Sequence, residues 1–275
     1  YEAHEDREPW AETSARMFAY LADNMAVGFS KFDCFPAIAC WNRWDRPLSG
    51  VLSARCAKVD ARYSPGLRAE IKALHDSGRG RADWKDFDHS APDWERILKL
   101  GFTGLKARVD AYTDDTPFYR AEKATAETIL RFVRRMLATA EAHPDAGSRL
   151  MQKEIASLRR LVAGPPQTCF DVMQFTMLYF ILSEHVNRFQ VRTLGNIDAS
   201  WWPYYRADLA AGRTTEADFR EEFSHFIWQF GSIDNYWGHP MYLGGTDRDG
   251  ATLYNPLSDI ILDVIDQEAL PTPKF

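Results

Sequence analysis

Four stretches of the sequence combine residue types that can do chemistry. In Asp88-His89-Ser-Ala-Pro-Asp93-Trp94 a histidine sits four residues ahead of an aspartate that starts a helix. His89 can present its ring at a pocket wall while Asp93 serves the helix N-terminus; the competing reading is a histidine held by a local turn hydrogen bond. Glu184-His185 are adjacent, so on a helix they do not face one another. No His-Glu-x-x-His and no second nearby histidine supports them, and no metal centre is expected. Gln190-Val191-Arg192-Thr193 alternates on a short β-prone run, with Gln190 and Arg192 on one face. An arginine wedged between buried helices either pairs with a carboxylate or lines a polar cavity. Tyr236-Trp-Gly-His239-Pro-Met-Tyr242-Leu-Gly-Gly245 joins large aromatics to a stiff turn and paired glycines. It suits either an aromatic pocket wall or ordinary core, and it lacks the glycine order of a phosphate loop.

Composition limits what these residues can serve. The chain of 275 residues carries 33 Lys+Arg against 39 Asp+Glu, a formal charge of −6, so nothing attracts it to a nucleic-acid backbone. With 45% hydrophobic and 26% charged residues it reads as globular, one large domain or two modest ones. The four cysteines, Cys34, Cys40, Cys56 and Cys169, form no Cys-x-x-Cys pair and read as packed, reduced thiols of a cytoplasmic protein. The polar N-terminus is no signal peptide, and the most apolar run, Met173 to Leu182, is about half a membrane span. No membrane partner is expected, and both ends read as cuts through a longer protein.

Apolar spacing predicts the elements that must position these groups. A helix is expected over residues 11–30, with Met17, Leu21, Met25, Phe18 and Ala22 on one face. Residues 31–85 show no lasting period and read as irregular, with short helices. Asp93 begins a helix that breaks near Gly101 and resumes toward Val109. Amphipathic helices follow over Glu122–Ala142, with Ile129, Phe132, Val133 and Met136 as a stripe, and over Ser148–Ala163, stopped by Gly164-Pro165-Pro166. Thr168 and Asp171 form a capping box for a helix that is apolar nearly all round to about His185, hence buried on every side. Phe189–Leu194 reads as a strand. Three more helices are expected: from Asp198 to Ala211-Gly212, from Thr215 with a phenylalanine-rich stripe, and from Pro256 to Asp266. The prediction is an α/β chain, predominantly helical, with two or three short strands buried behind helices.

Several of these stretches, in order, resemble the pyruvate formate-lyase-like glycyl radical enzymes. They are His89-Ser-Ala-Pro-Asp93-Trp94 with Leu100-Gly101, Gly164-Pro-Pro-Gln-Thr168, and Leu194-Gly-Asn-Ile-Asp198. The last is followed by Trp202-Pro-Tyr-Tyr205-Arg-Ala-Asp208 and Ala211-Gly-Arg-Thr214, then by Leu243-Gly-Gly-Thr-Asp-Arg-Asp-Gly250, Asn255-Pro-Leu-Ser258 and Leu270-Pro-Thr-Pro273. Together they span residues 87–275. The resemblance implies the N-terminal portion of a ten-stranded β/α barrel, in which one loop carries a cysteine that becomes a thiyl radical and another a glycine that stores the radical. Neither loop is recognisable in this chain, so it reads as a partial domain over residues 1–275, inactive alone.

The resemblance also implies a substrate wall made of His89, Gln190, Val191 and Tyr242, with His239 nearby. It implies a small-molecule substrate, no directly bound cofactor, a radical-SAM activating enzyme that installs the glycyl radical, and a homodimer at full length. The chemistry implied is thiyl-radical-initiated elimination or C–C cleavage, by a lyase, a dehydratase or a formate acetyltransferase-like enzyme. Histidine and glutamine donate and accept hydrogen bonds, which suits a hydroxylated or carboxylated substrate. Gln190-Val191 departs from the small pair expected of a pyruvate formate-lyase proper and from the His-Ser pair frequent in dehydratases. The alternative is a non-catalytic split subunit or scaffold whose partner chain carries the two missing loops.

Overall fold

The computed structural model describes residues 8–36, 66–80, 91–186, 193–231 and 239–270. Helix α1, Trp10–Asn24, buries Thr13, Ala15, Phe18 and Ala22. It lies along α4, Pro117–Glu141, whose Phe132, Val133 and Met136 are buried as the stripe requires. Arg131 of α4 grips Asp23 through two bonds of 2.8 and 2.9 Å, and Arg135 donates to the Ala22 carbonyl at 2.8 Å. Helix α4 starts five residues earlier than the apolar spacing predicts. Thr116 caps it by accepting from the Tyr119 amide, and Pro117 occupies the first turn, where its missing N–H costs nothing.

Helix α2, Leu67–Asp76, lies in the stretch that showed no period. Its Leu67, Ile71 and Leu74 stand at helical spacing over too short a run to persist as a period, and none of its described side chains is fully buried, Leu67 and Leu74 being exposed. Helix α3, Trp94–Asp110, is capped by Asp93, whose carboxylate accepts from the Arg96 amide. It is interrupted where expected: Gly101 has φ 61° and ψ −179°. A Cβ there would stand 2.6 Å from Pro165 Cα, a backbone atom that cannot swing away. Gly101→Ala therefore combines a disfavoured dihedral with a backbone clash. We expect a loss of about 3 kcal/mol or more, read as the shift in a urea unfolding midpoint.

Helix α5, Arg149–Ala163, ends at Gly164. Pro165 and Pro166 cannot continue it, and Asp171 turns the chain back: its carboxylate accepts from Arg160 and from the amides of Gln167 and Thr168. Thr168 and Asp171 complete the capping box of α6, Cys169–Phe180. All of α6 except Tyr179 is buried, because α3, α5, α7 and α8 all pack against it. Each large apolar side chain so enclosed contributes about 1.5–3 kcal/mol relative to exposure. The helix widens into a π turn over Ile181–Val186.

Two strands of two residues follow among the described residues: β1, Gly195–Asn196, and β2, Met241–Tyr242, parallel, with Gly195 opposite Met241 and Asn196 opposite Tyr242. The Phe189–Leu194 strand expected from sequence lies mostly outside the described residues; the observed pairing begins just after it. Helix α7, Ile197–Ala210, packs against β2, while α8, Glu216–Gly231, packs against α6 and against α9, Pro256–Glu268, which closes the core. The phenylalanine stripe of α8 is buried in full. Among the described residues no helix is long and apolar enough to cross a membrane.

Candidate functional site

Of the five positions implied by resemblance, His89, Gln190 and Val191 lie outside the described residues, as do Arg192 and the side chains of Glu184 and His185. Their sequence neighbours are described, and these meet at one point. The indole Nε1 of Trp94, five residues after His89, donates to the carbonyl of Thr193 at 3.3 Å. The Thr193 hydroxyl donates at 3.0 Å to the carbonyl of Pro240, which also accepts from the Leu194 amide at 2.8 Å. Pro240 lies between His239 and the strand that carries Tyr242. Trp94, Thr193 and Pro240 thus form one hydrogen-bonded junction, and every candidate position is within five residues of it.

Close packing explains the junction. Trp94 stacks on Phe180 at 6.0 Å between ring centroids and meets Tyr179 edge-on at 5.2 Å. Its ring passes so near the chain that a Cβ on Gly195 would stand 2.5 Å from Trp94 Cδ1, and φ at Gly195 is +76°. Glycine is the residue that fits there. His239 is wholly buried, its ring 5.0 Å from Phe180 and 4.9 Å from Phe230. Tyr242 instead has 60% of its surface exposed.

A second knot holds the two strands in register. Asp198, fully buried near the start of α7, accepts from the Gly244 amide at 2.8 Å, from its neighbour Ala199 at 2.8 Å, and from the Ser258 hydroxyl. Asn196 donates to the Gly244 carbonyl at 2.7 Å, and Asn255 donates to the Asp198 carbonyl at 3.3 Å while capping α9. Gly244 and Ser258 stand far from Asp198 in sequence, yet both donate to its carboxylate, while Asn255 reaches its backbone carbonyl. Asp208 works similarly at the buried end of α6, accepting from the Cys169 amide at 2.7 Å and from Arg213 at 2.8 Å. These motif residues build the frame around the two strands.

The described cysteines, Cys34 and Cys169, are free and buried, and burial pushes both thiols up. Cys34 does not stand in a purely apolar setting, however. It neighbours Asp33, whose Oδ1 is 3.3 Å from His225 Nδ1 on α8. Sequence spacing missed this group because its members come from opposite ends of the chain. Nearby, Glu154 of α5 is fully buried, and neither of its carboxyl oxygens has a hydrogen-bond partner. Burial, and secondarily the charge of Asp33, hold its pKa well above the ordinary range. The folded chain therefore keeps a proton that the unfolded chain releases, so stability falls as pH rises from the ordinary carboxylate range toward the raised value. Glu154→Gln should remove that slope, melting above the wild type at neutral pH and with it in acid, in thermal scans across pH.

Comparison with known proteins agrees with this architecture. Residues 58–275 match the family model described as pyruvate formate lyase-like. Isethionate sulfite-lyase of Oleidesulfovibrio alaskensis is 26% identical over 149 residues, 45% of this chain and 17% of that protein. A glycyl radical enzyme from Archaeoglobus fulgidus superposes with a TM-score of 0.74 at 17% identity, covering 99% of this chain and 44% of that one. Hydroxyproline dehydratase from Clostridioides difficile, solved with trans-4-hydroxy-L-proline bound, gives 0.76 at 15% identity, covering 99% and 43%. The chain thus spans less than half the length of these solved relatives. Its fold is that of the N-terminal part of their ten-stranded barrel, and the chain belongs to the pyruvate formate lyase-like glycyl radical enzyme family.

Proposed function

We propose that this chain supplies one wall of the active site of a glycyl radical lyase or dehydratase acting on a small hydroxylated or carboxylated substrate. The observation that carries the reading is the Trp94–Thr193–Pro240 junction, which draws together the sequence neighbours of His89, Gln190, Val191, His239 and Tyr242. A sheet of two two-residue strands is marginal by itself and asks for more strands beside it. The exposed ring of Tyr242 stands on that sheet.

In this reading a cysteine elsewhere in the whole protein, oxidised to a thiyl radical by the stored glycyl radical, takes a hydrogen atom from a substrate carbon and becomes a thiol. The substrate radical then loses a neighbouring hydroxyl with a proton as water, or breaks a C–C bond. The product radical recovers a hydrogen atom from the thiol. His89 supplies the proton to the departing hydroxyl, Gln190 orients the substrate, and Val191 and Tyr242 exclude water, with His239 in the wall behind. A radical-SAM enzyme installs the glycyl radical, the full-length protein works as a homodimer, and the present chain alone is inactive.

The test is anaerobic turnover by the full-length, activase-treated protein with glycerol, trans-4-hydroxy-L-proline, isethionate and related diols and hydroxy acids. Radical-dependent loss of one substrate supports the reading. A full-length protein on which activase treatment installs no glycyl radical, and which converts nothing across this chemical range, favours the scaffold reading, in which a partner chain bears the two loops.

A further inference from the structure

We propose that Asp33, Cys34 and His225 form a binding site for a divalent transition ion of the zinc class. A carboxylate oxygen, the thiol sulfur and an imidazole nitrogen from these residues lie within 4.8 Å of one another. They represent the three donor types that zinc takes from proteins. The Asp33 Oδ1 to His225 Nδ1 separation is 3.3 Å. In a tetrahedron with metal–ligand bonds of 2.0–2.1 Å, the oxygen–nitrogen edge is about 3.3 Å, so two donors already stand at ligating distance. Closing the set requires a modest approach by the sulfur.

The surroundings are those of a built site. The Cys34 residue is fully buried, and the His225 side chain is nine-tenths buried. Nδ1 of His225, directed at Asp33, has no hydrogen-bond partner. Gln229, one turn further along α8, donates to the other oxygen of Asp33. The amides of Cys34 and Phe35 donate to the same Oδ1 that faces His225, at 2.7 and 3.2 Å, fixing the orientation of the carboxylate. Outer-shell bonds of this kind orient a ligand before the ion arrives.

Charge points the same way. Without an ion, a carboxylate, a thiol and the unpartnered carboxyl of Glu154 share a poorly solvated corner. Burial, with the Asp33 carboxylate beside it, holds Cys34 as a thiol. A divalent cation would balance the Asp33 carboxylate and a Cys34 thiolate, releasing the thiol proton to solvent as the metal–sulfur bond forms. The proposal rests on these three residues and their neighbours alone, so its test does not depend on the proposed function.

The experiment uses tag-free protein, reduced, stripped with a chelator and titrated anaerobically with Co2+, followed by displacement with Zn2+. The expected result is one equivalent of tightly held ion and a thiolate-to-cobalt charge-transfer band that vanishes on zinc addition. Cys34→Ala should abolish the band. His225→Gln should weaken binding more than about 100-fold, and Gln229→Ala about tenfold, as outer-shell losses do. Circular dichroism checks that each variant folds, and Cys34→Ser gives the same reading should Cys34→Ala fail to fold. No charge-transfer band in the wild type, or a band and affinity unchanged in the variants, would overturn the site and leave Asp33 and His225 as a simple ion pair.

Discussion

Changing His89 to Ala in the full-length, activase-treated protein should lower turnover by about 10²–10⁴-fold while leaving the glycyl radical signal at the wild-type level. The magnitude is that of removing a positioned proton donor. The split between the two readouts is what makes the result specific. In the proposed function the radical is installed on a glycine outside this chain, and that step should not notice a missing imidazole on the substrate wall. Proton delivery to a leaving hydroxyl should suffer at every turnover. Electron paramagnetic resonance on the same sample used for product analysis reads both. Wild-type turnover would remove His89 from the site, and loss of both signals would mean that it supports the fold.

Replacing Asp198 by Asn should cost about 3–5 kcal/mol of stability. The Asp198 carboxylate is fully buried and accepts from three donors: the amides of Ala199 and Gly244 and the hydroxyl of Ser258. Asparagine keeps the volume, but its NH2 group must turn toward at least one of those donors, leaving it unpaired in a dry interior. Each such loss costs roughly 1–3 kcal/mol, and the charge-assisted bonds given up add a similar amount. The consequence reaches past stability, because the same carboxylate ties the turn after β2 to the start of α7 and the start of α9. The melting temperature should fall by about 10 °C, and differential scanning calorimetry reads it directly. A fall within a degree or two would show that the strands are held in register by packing alone.

How much of this was legible in the sequence follows from the range of the interactions involved. The Thr168–Asp171 capping box, the break at Gly101 and the stop at Gly164-Pro165 are set by residues three or four apart, and the structure reproduces each. The phenylalanine stripe of α8 and the all-round burial of α6 follow from periodicity and composition in the same way. Helix α2 falls in the stretch read as irregular with short helices; its Leu67, Ile71 and Leu74 stripe is only ten residues long, too short to fix its bounds from spacing alone. The early start of α4 rests on a Thr116 cap that an apolar-period reading passes over. The Asp198 knot, the Trp94 junction and the Asp33, Cys34 and His225 group are long-range. Nothing in the local spacing of Asp33-Cys34 announces a histidine on a helix near the other end of the chain. Resemblance could point to Leu194–Asp198 and Leu243–Gly245 as belonging together, but the physical reason is a single shared carboxylate.

Once screening has selected a substrate, a crystal structure of the full-length protein with that compound bound tests the account most directly. The imidazole of His89 and the amide of Gln190 should lie within hydrogen-bond distance of a substrate oxygen, with the Tyr242 ring covered by the bound molecule and by added strands. A ligand bound elsewhere, with Tyr242 still open to solvent as it is in this chain, would contradict it.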